Sequence, residues 1–224
     1  MTARAVSVPV PELELEVSGL LEVPEGARSL YVLAHGAGAG MRHPFLEKMA
    51  GLLAAAGMGT LRYQFPYMER GSGRTDSPDK CVATVKAAVA VARVEAPELP
   101  LVAGGKSFGG RMTSTAQSRA PLDGVRGLVF LGFPLHPPGN PGITRAEHLD
   151  LVTIPMLFLQ GARDEFAQPD LLRQVVERLK PRATLEVVEG GDHSFKVPRK
   201  QRSEAQVFQD LVTTIVAWTD RRTG

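Results

Sequence analysis

Apolar and polar positions along this chain follow two rhythms that take turns. Ser29–Ala34, Gly127–Gly132 and Met156–Gln160 are short, almost wholly apolar runs, the pattern of strands covered on both faces. Gly59–Tyr63, Leu101–Ala103 and Thr184–Val188 read as further strands. Between them lie longer stretches, Pro44–Ala56, Asp79–Ala96, Arg111–Arg119 and Pro169–Leu179, that read as helices. In the second of these Val82, Val85 and Val89 recur near helical spacing. Glu204–Asp220 closes the chain as an amphipathic helix. Val6–Val23 alternates and contains two prolines, which predicts one or two edge strands joined by a turn, with Glu12–Val17 as the clearest period-two segment. Gln64–Pro78 and Pro134–Pro155 read as loops, the second stiffened by five prolines. Strands that alternate with helices in this way predict an α/β fold. Its sheet would be doubly wound and mostly parallel, with helices on both faces. The expectation is a single domain over residues 1–224 with no room for a lid domain.

In such sheets reactive groups collect past the carboxyl ends of the strands. Three candidates stand there. Leu101–Ala103 runs into Gly105-Lys106-Ser107-Phe108-Gly109, a G-x-S-x-G string followed by a helix, which is the context of a nucleophile elbow. Gly161-Ala162-Arg163-Asp164-Glu165 follows the strand at 156–160, and Gly190-Gly191-Asp192-His193 follows the last one. A serine hydroxyl needs an adjacent base, histidine titrates in the working range, and a carboxylate on the far ring nitrogen fixes the tautomer. Ser107, His193 and Asp164 therefore form a candidate triad, with Glu165 as the competitor for the acid. The glycine-rich turn His35-Gly36-Ala37-Gly38 follows an earlier strand, and the amides of Ala37 and Phe108 are the candidate oxyanion donors. His35 is expected to bond within its own loop. Phe65, Tyr67 and Met68 form either an apolar wall for substrate or packing under their loop. His136, Arg145 and His148 either bind an acid group of a substrate or pin the proline-rich segment. Lys106 is expected to take a salt bridge or a surface role.

Composition narrows the classes. The chain is 43% hydrophobic and 22% charged with a net charge of +2, an ordinary globular profile. Its arginines are scattered, so nucleic acid is not an expected partner. Cys81 is the one cysteine, which excludes an internal disulfide. Its place in a predicted helix reads as packing. The first ten residues lack the apolar core of a signal peptide, and no stretch approaches a membrane span, so a cytoplasmic location is expected. No metal-ligand cluster and no cofactor motif stand out. Gly105-Lys106-Ser107 is not a phosphate-binding loop, because Pro100 stands where the first glycine is required.

With these motifs in place the chain resembles the α/β-hydrolase superfamily over nearly its whole length, and the order serine, aspartate, histidine is that superfamily's. More narrowly it is similar to the small, capless, dienelactone-hydrolase-like branch. Within that branch it is especially similar to the testis-expressed and non-specific-lethal-subunit-like hydrolases. The narrower likeness rests on His35–Gly40, Phe65-Pro66-Tyr67, Gly105–Arg111, Pro134–Gly139, Arg145 with His148-Leu149, Gly161–Asp164 and Gly191–Ser194. Dienelactone hydrolases proper use a cysteine nucleophile where this chain has Ser107. The resemblance implies a serine hydrolase of small acyl esters acting through an acyl-enzyme. The alternatives are a thioesterase, a small-peptide hydrolase, or a non-catalytic scaffold that has kept the fold. Oligomeric state is not legible.

Overall fold

The computed structural model describes residues 3–223, so Met1, Thr2 and Gly224 of the expected 1–224 domain lie outside the described residues. Eight strands form one sheet: β1 (Arg4–Val10), β2 (Leu15–Glu22), β3 (Ser29–Ala34), β4 (Met58–Tyr63), β5 (Leu101–Lys106), β6 (Val125–Leu131), β7 (Met156–Gly161) and β8 (Ala183–Val188). Their order across the sheet is β1-β2-β4-β3-β5-β6-β7-β8. The pairs from β4 to β8 are parallel, while β1 and β2 join as an antiparallel edge. The helices are α1 (Pro44–Ala55), α2 (Pro66–Glu69), α3 (Pro78–Glu95), α4 (Phe108–Arg119), α5 (Pro169–Arg178) and α6 (Glu204–Thr223). Among the described residues no helix is long and apolar enough to cross a membrane.

The period of two along each strand sorts its side chains into two cores. On one face Tyr31, Leu33, Val129, Leu131, Leu157 and Leu159 meet α1 through Leu46, Met49 and Leu53, and α6 through Leu211, Ile215 and Trp218. On the other, Leu30, Val32, Leu128, Phe130, Met156 and Phe158 meet α3, α4 and α5 through residues such as Val85, Val89, Met112 and Val175. Cys81 is buried in that second core.

Three local readings change. Glu12-Leu13-Glu14 is not strand: Pro11–Leu13 is a 3-10 turn and Glu14 takes a left-handed φ of 51°, so the chain reverses there between β1 and β2. Proline at the start of that turn supplies no N–H for a ladder. The loop at 64–78 contains α2. The proline-rich segment contains a 3-10 helix, Thr144–Leu151, that packs on α4.

Trp218 is fully buried, and its indole occupies the space left open at Gly127, where a Cβ would lie 2.6 Å from the ring. Trp218→Ala should therefore destabilise the fold by about 3–5 kcal/mol, measured as a lower urea midpoint with little change in slope.

Candidate active site

Strand β5 hands the chain to α4 within a single residue. Ser107 holds that corner with φ 50° and ψ −116°, a conformation costly for a residue with a side chain, and its N–H donates to Leu131 O at 3.0 Å. The helix begins at Phe108, three residues earlier than the apolar pattern suggests, because Gly109 and Gly110 occupy its first turn. A Cβ on Gly109 would lie 2.5 Å from His35 O and 2.7 Å from Ala34 O, so only glycine lets α4 cross this close to the end of β3.

The loops after β7 and β8 bring the other two groups to this corner. His193 Nε2 lies 2.9 Å from Ser107 Oγ, and its Nδ1 lies 2.7 Å from Asp164 Oδ2. Asp164 is buried and its carboxylate is fully engaged. Oδ2 also accepts from Gln160 Nε2 at 2.5 Å, and Oδ1 accepts from the Phe166 N–H at 2.8 Å. Glu165, the competing acid, makes no bond to the histidine. The His193 loop is built locally, since Asp192 Oδ1 accepts from the N–H groups of Ser194 at 2.8 Å and Lys196 at 2.9 Å. Phe195 takes a left-handed φ of 61° and is buried, and His193, two residues earlier, stays half-buried against Ser107 and Asp164.

Ala37 lies on the turn between β3 and α1. Gly38 N–H donates to Tyr67 Oη and Ala39 N–H to Gly36 O, each at 3.2 Å, while among the described residues the Ala37 and Phe108 amides have no such partner. His35 sits beneath this turn. Its Nδ1 donates to Gly36 O at 2.7 Å and its Nε2 accepts from the Phe65 N–H at 3.1 Å. Burial pushes its pKa down to about 4, against a smaller opposing pull from the Gly36 carbonyl, so the ring is neutral.

A cavity of about 600 Å³ opens in front of Ser107 and His193, walled by Phe45, Phe166, Phe195 and Phe208. The Phe166 ring centroid lies 4.4 Å from that of His193. Neither Phe65 nor Tyr67 reaches this cavity. Both are fully buried, Phe65 stacking on Tyr67 and meeting Phe108 edge-on, so they underpin the glycine turn rather than wall this cavity. His136 serves the proline-rich segment: its Nδ1 donates to Pro137 O at 2.9 Å and its Nε2 accepts from the Gln168 N–H at 3.1 Å. His148 Nε2 lies 2.7 Å from Ser114 Oγ. That second serine–histidine pair lacks the parts of a nucleophile, since Ser114 Oγ donates to Arg111 O at 2.9 Å and no carboxylate meets the ring. Burial, and then the nearby Arg111 charge, lower the His148 pKa to about 4. Arg145, in the 3-10 helix that packs on α4, lies near enough to Arg111 for the two charges to repel and does not line the cavity.

Gln160, the four cavity phenylalanines and Lys106 are functional candidates that motif reading passes over. Gln160 alone carries a signal, as a polar residue ending an apolar strand. A second cavity of about 460 Å³ lies at the amino ends of the strands between Arg4, Leu21 and Leu99, and carries no nucleophile–base pair. Among the described residues no cluster of three or more histidine, cysteine or acidic side chains is placed to hold a metal.

Residues 27–220 match the family model described as alpha/beta hydrolase domain. Solved structures share the fold. A dienelactone hydrolase from Anabaena variabilis superposes with a TM-score of 0.80 at 21% identity, covering 99% of this chain and 98% of its own. A lidless α/β serine hydrolase from Xanthomonas campestris gives 0.74 at 19% identity, covering 99% and 95%. Est1E of Butyrivibrio proteoclasticus, with ferulic acid bound, gives 0.74 at 15% identity, covering 95% and 98%.

The neutral buried His35 couples folding to pH. An unfolded imidazole takes up a proton near pH 6.5, whereas the folded one resists until about pH 4. This contribution is therefore complete above pH 6.5 and is lost as the pH falls towards 4. Unfolding free energy measured in urea should drop by roughly 2–3 kcal/mol from this residue between pH 7 and pH 4.5. His35→Gln should flatten that slope.

Proposed function

The chain belongs to the alpha/beta hydrolase domain family, and from that premise we propose that it is a serine hydrolase of small acyl esters acting through an acyl-enzyme on Ser107. The observation that carries this reading is the continuous line of hydrogen bonds from Ser107 Oγ through the His193 ring to the buried Asp164 carboxylate, at 2.9 and 2.7 Å. The narrower likeness to the testis-expressed and non-specific-lethal-subunit-like hydrolases is part of the same proposal and is supported by the motifs at 35–40, 105–111 and 134–139.

In this reading His193 Nε2 takes the hydroxyl proton as Ser107 Oγ attacks the ester carbonyl. Asp164 holds Nδ1 protonated and stabilises the imidazolium that forms. The tetrahedral oxygen is met by the Ala37 and Phe108 amides, aided by the amino terminus of α4. His193 then gives its proton to the leaving alcohol. Water, deprotonated by the same ring, releases the acid and restores Ser107. The alcohol or acyl group occupies the aromatic cavity. Its phenylalanine walls favour short acyl and aryl esters, and the ferulic acid held by Est1E is a ligand of that shape.

A fluorophosphonate probe should label the native protein and leave Ser107→Ala unlabelled. On an ester panel Ser107→Ala should lose about 10⁴-fold or more in kcat, and Asp164→Asn about 10³–10⁴-fold. Thioesters and anilides in the panel separate the neighbouring activities. A folded native protein that neither labels nor turns over any ester would overturn the reading in favour of a binding protein that has kept the fold.

A further inference from the structure

Lys106 ends β5, one residue before the nucleophile, and neither pairs with a carboxylate nor lies on the surface as the sequence suggests. Its Nζ donates to the backbone carbonyl of His193 at 2.8 Å. It lies 5.7 Å from the Phe195 ring centroid and 6.0 Å from that of Phe45. Gly132, with φ 72°, marks how close the ammonium comes to the imidazole: a Cβ there would sit 3.0 Å from Lys106 Nζ and 3.4 Å from His193 Cε1 and Nδ1. The absent side chain leaves cation and ring side by side. Burial lowers the Lys106 pKa to about 8, with Asp164 and then Asp192 opposing that shift, so the group is mainly charged at neutral pH. Asp164 is already engaged by His193, Gln160 and Phe166, and Asp192 Oδ1 by two backbone N–H groups. Other charged or titratable groups around this cavity are His43, which caps α1, Lys48 on that helix, Lys196 from the loop after β8, and Glu204 of α6, which pairs with Lys48.

We propose that Lys106 is a positioning residue for the triad base. Its ammonium pins the His193 carbonyl, and its charge opposes protonation of the imidazole that the Asp164 carboxylate by itself would favour. Two features of one side chain thus keep the ring both aimed and free to accept a proton. The proposal rests on the triad reading given above.

The test measures kcat, KM and the pH profile of kcat/KM on p-nitrophenyl acetate, with fluorophosphonate labelling and thermal unfolding alongside. Lys106→Met removes donor and charge. It should lower kcat about tenfold or more, leave KM within about twofold, and move the acidic limb upward by about half a pH unit or more. Lys106→Gln keeps a donor without charge. It should recover much of kcat while leaving the limb displaced, and it carries the decision if Lys106→Met fails to fold. Native protein that labels, with variants whose kcat and acidic limb match it, would overturn this proposal and leave the triad reading standing. A uniform fall in kcat with the limb unmoved would also overturn it. Native protein that neither labels nor turns over would instead remove the triad reading itself.

Discussion

The crossing of α4 over the end of β3 constrains everything around it. A helix that starts just after Ser107 aims its amide dipoles at that corner, but only if its first turn lies almost on the neighbouring strand. Gly109 makes that approach possible, and its contacts are the carbonyls of Ala34 and His35, the residues that lead into the glycine turn. One close contact therefore fixes two components against each other: the Ser107 corner after β5 and the glycine turn after β3. The strained corner at Ser107 is held by regular structure on both sides, strand before and helix after. Loose loops could not maintain it.

Support for the site is layered beneath it. His35, Phe65 and Tyr67 stack under the glycine turn, and Tyr67 Oη accepts the Gly38 N–H. Gln160 links two neighbours, donating to Asp164 and accepting from the Phe133 N–H at 2.9 Å. Asp164 is thereby tied to the residue just before the proline-rich segment. That segment then folds away over α4, held by His136 and His148, and leaves the cavity open. Its polar residues are engaged in keeping it there.

Much of this was legible in the sequence because strand and helix periods are properties of single segments. Each of the buried parallel strands announces itself, and a reactive residue just past a strand end needs no knowledge of distant partners. Ser107, His193 and Asp164, which the structure brings within hydrogen-bond distance of one another, fall in that class. Phe65 and Tyr67 do not, since an aromatic residue after a strand reads alike whether it walls a cavity or fills the space beneath a turn. The cavity walls were hidden for a different reason. Phe45 comes from α1, Phe166 and Phe195 from two loops, and Phe208 from α6, so no local pattern unites them. Lys106 was misplaced because its neighbours, His193, Gly132 and Phe45, are remote along the chain. Glu12–Val17 kept a strand-like alternation across a turn because period two says nothing about φ.

The mouth of the cavity is closed along one side by contacts of a different kind. Lys48 reaches from α1 to Glu204 on α6 at 2.7 Å and lies over the Phe208 ring at 4.2 Å, with both charged groups substantially exposed. An exposed pair of this type contributes at most about 1 kcal/mol and weakens with salt. The inner wall is aromatic packing, and the outer rim is a weak, exposed clasp. Rim and wall thus answer to different physics. Added salt loosens the clasp at the rim, while the aromatic wall lies deeper, where salt has little reach.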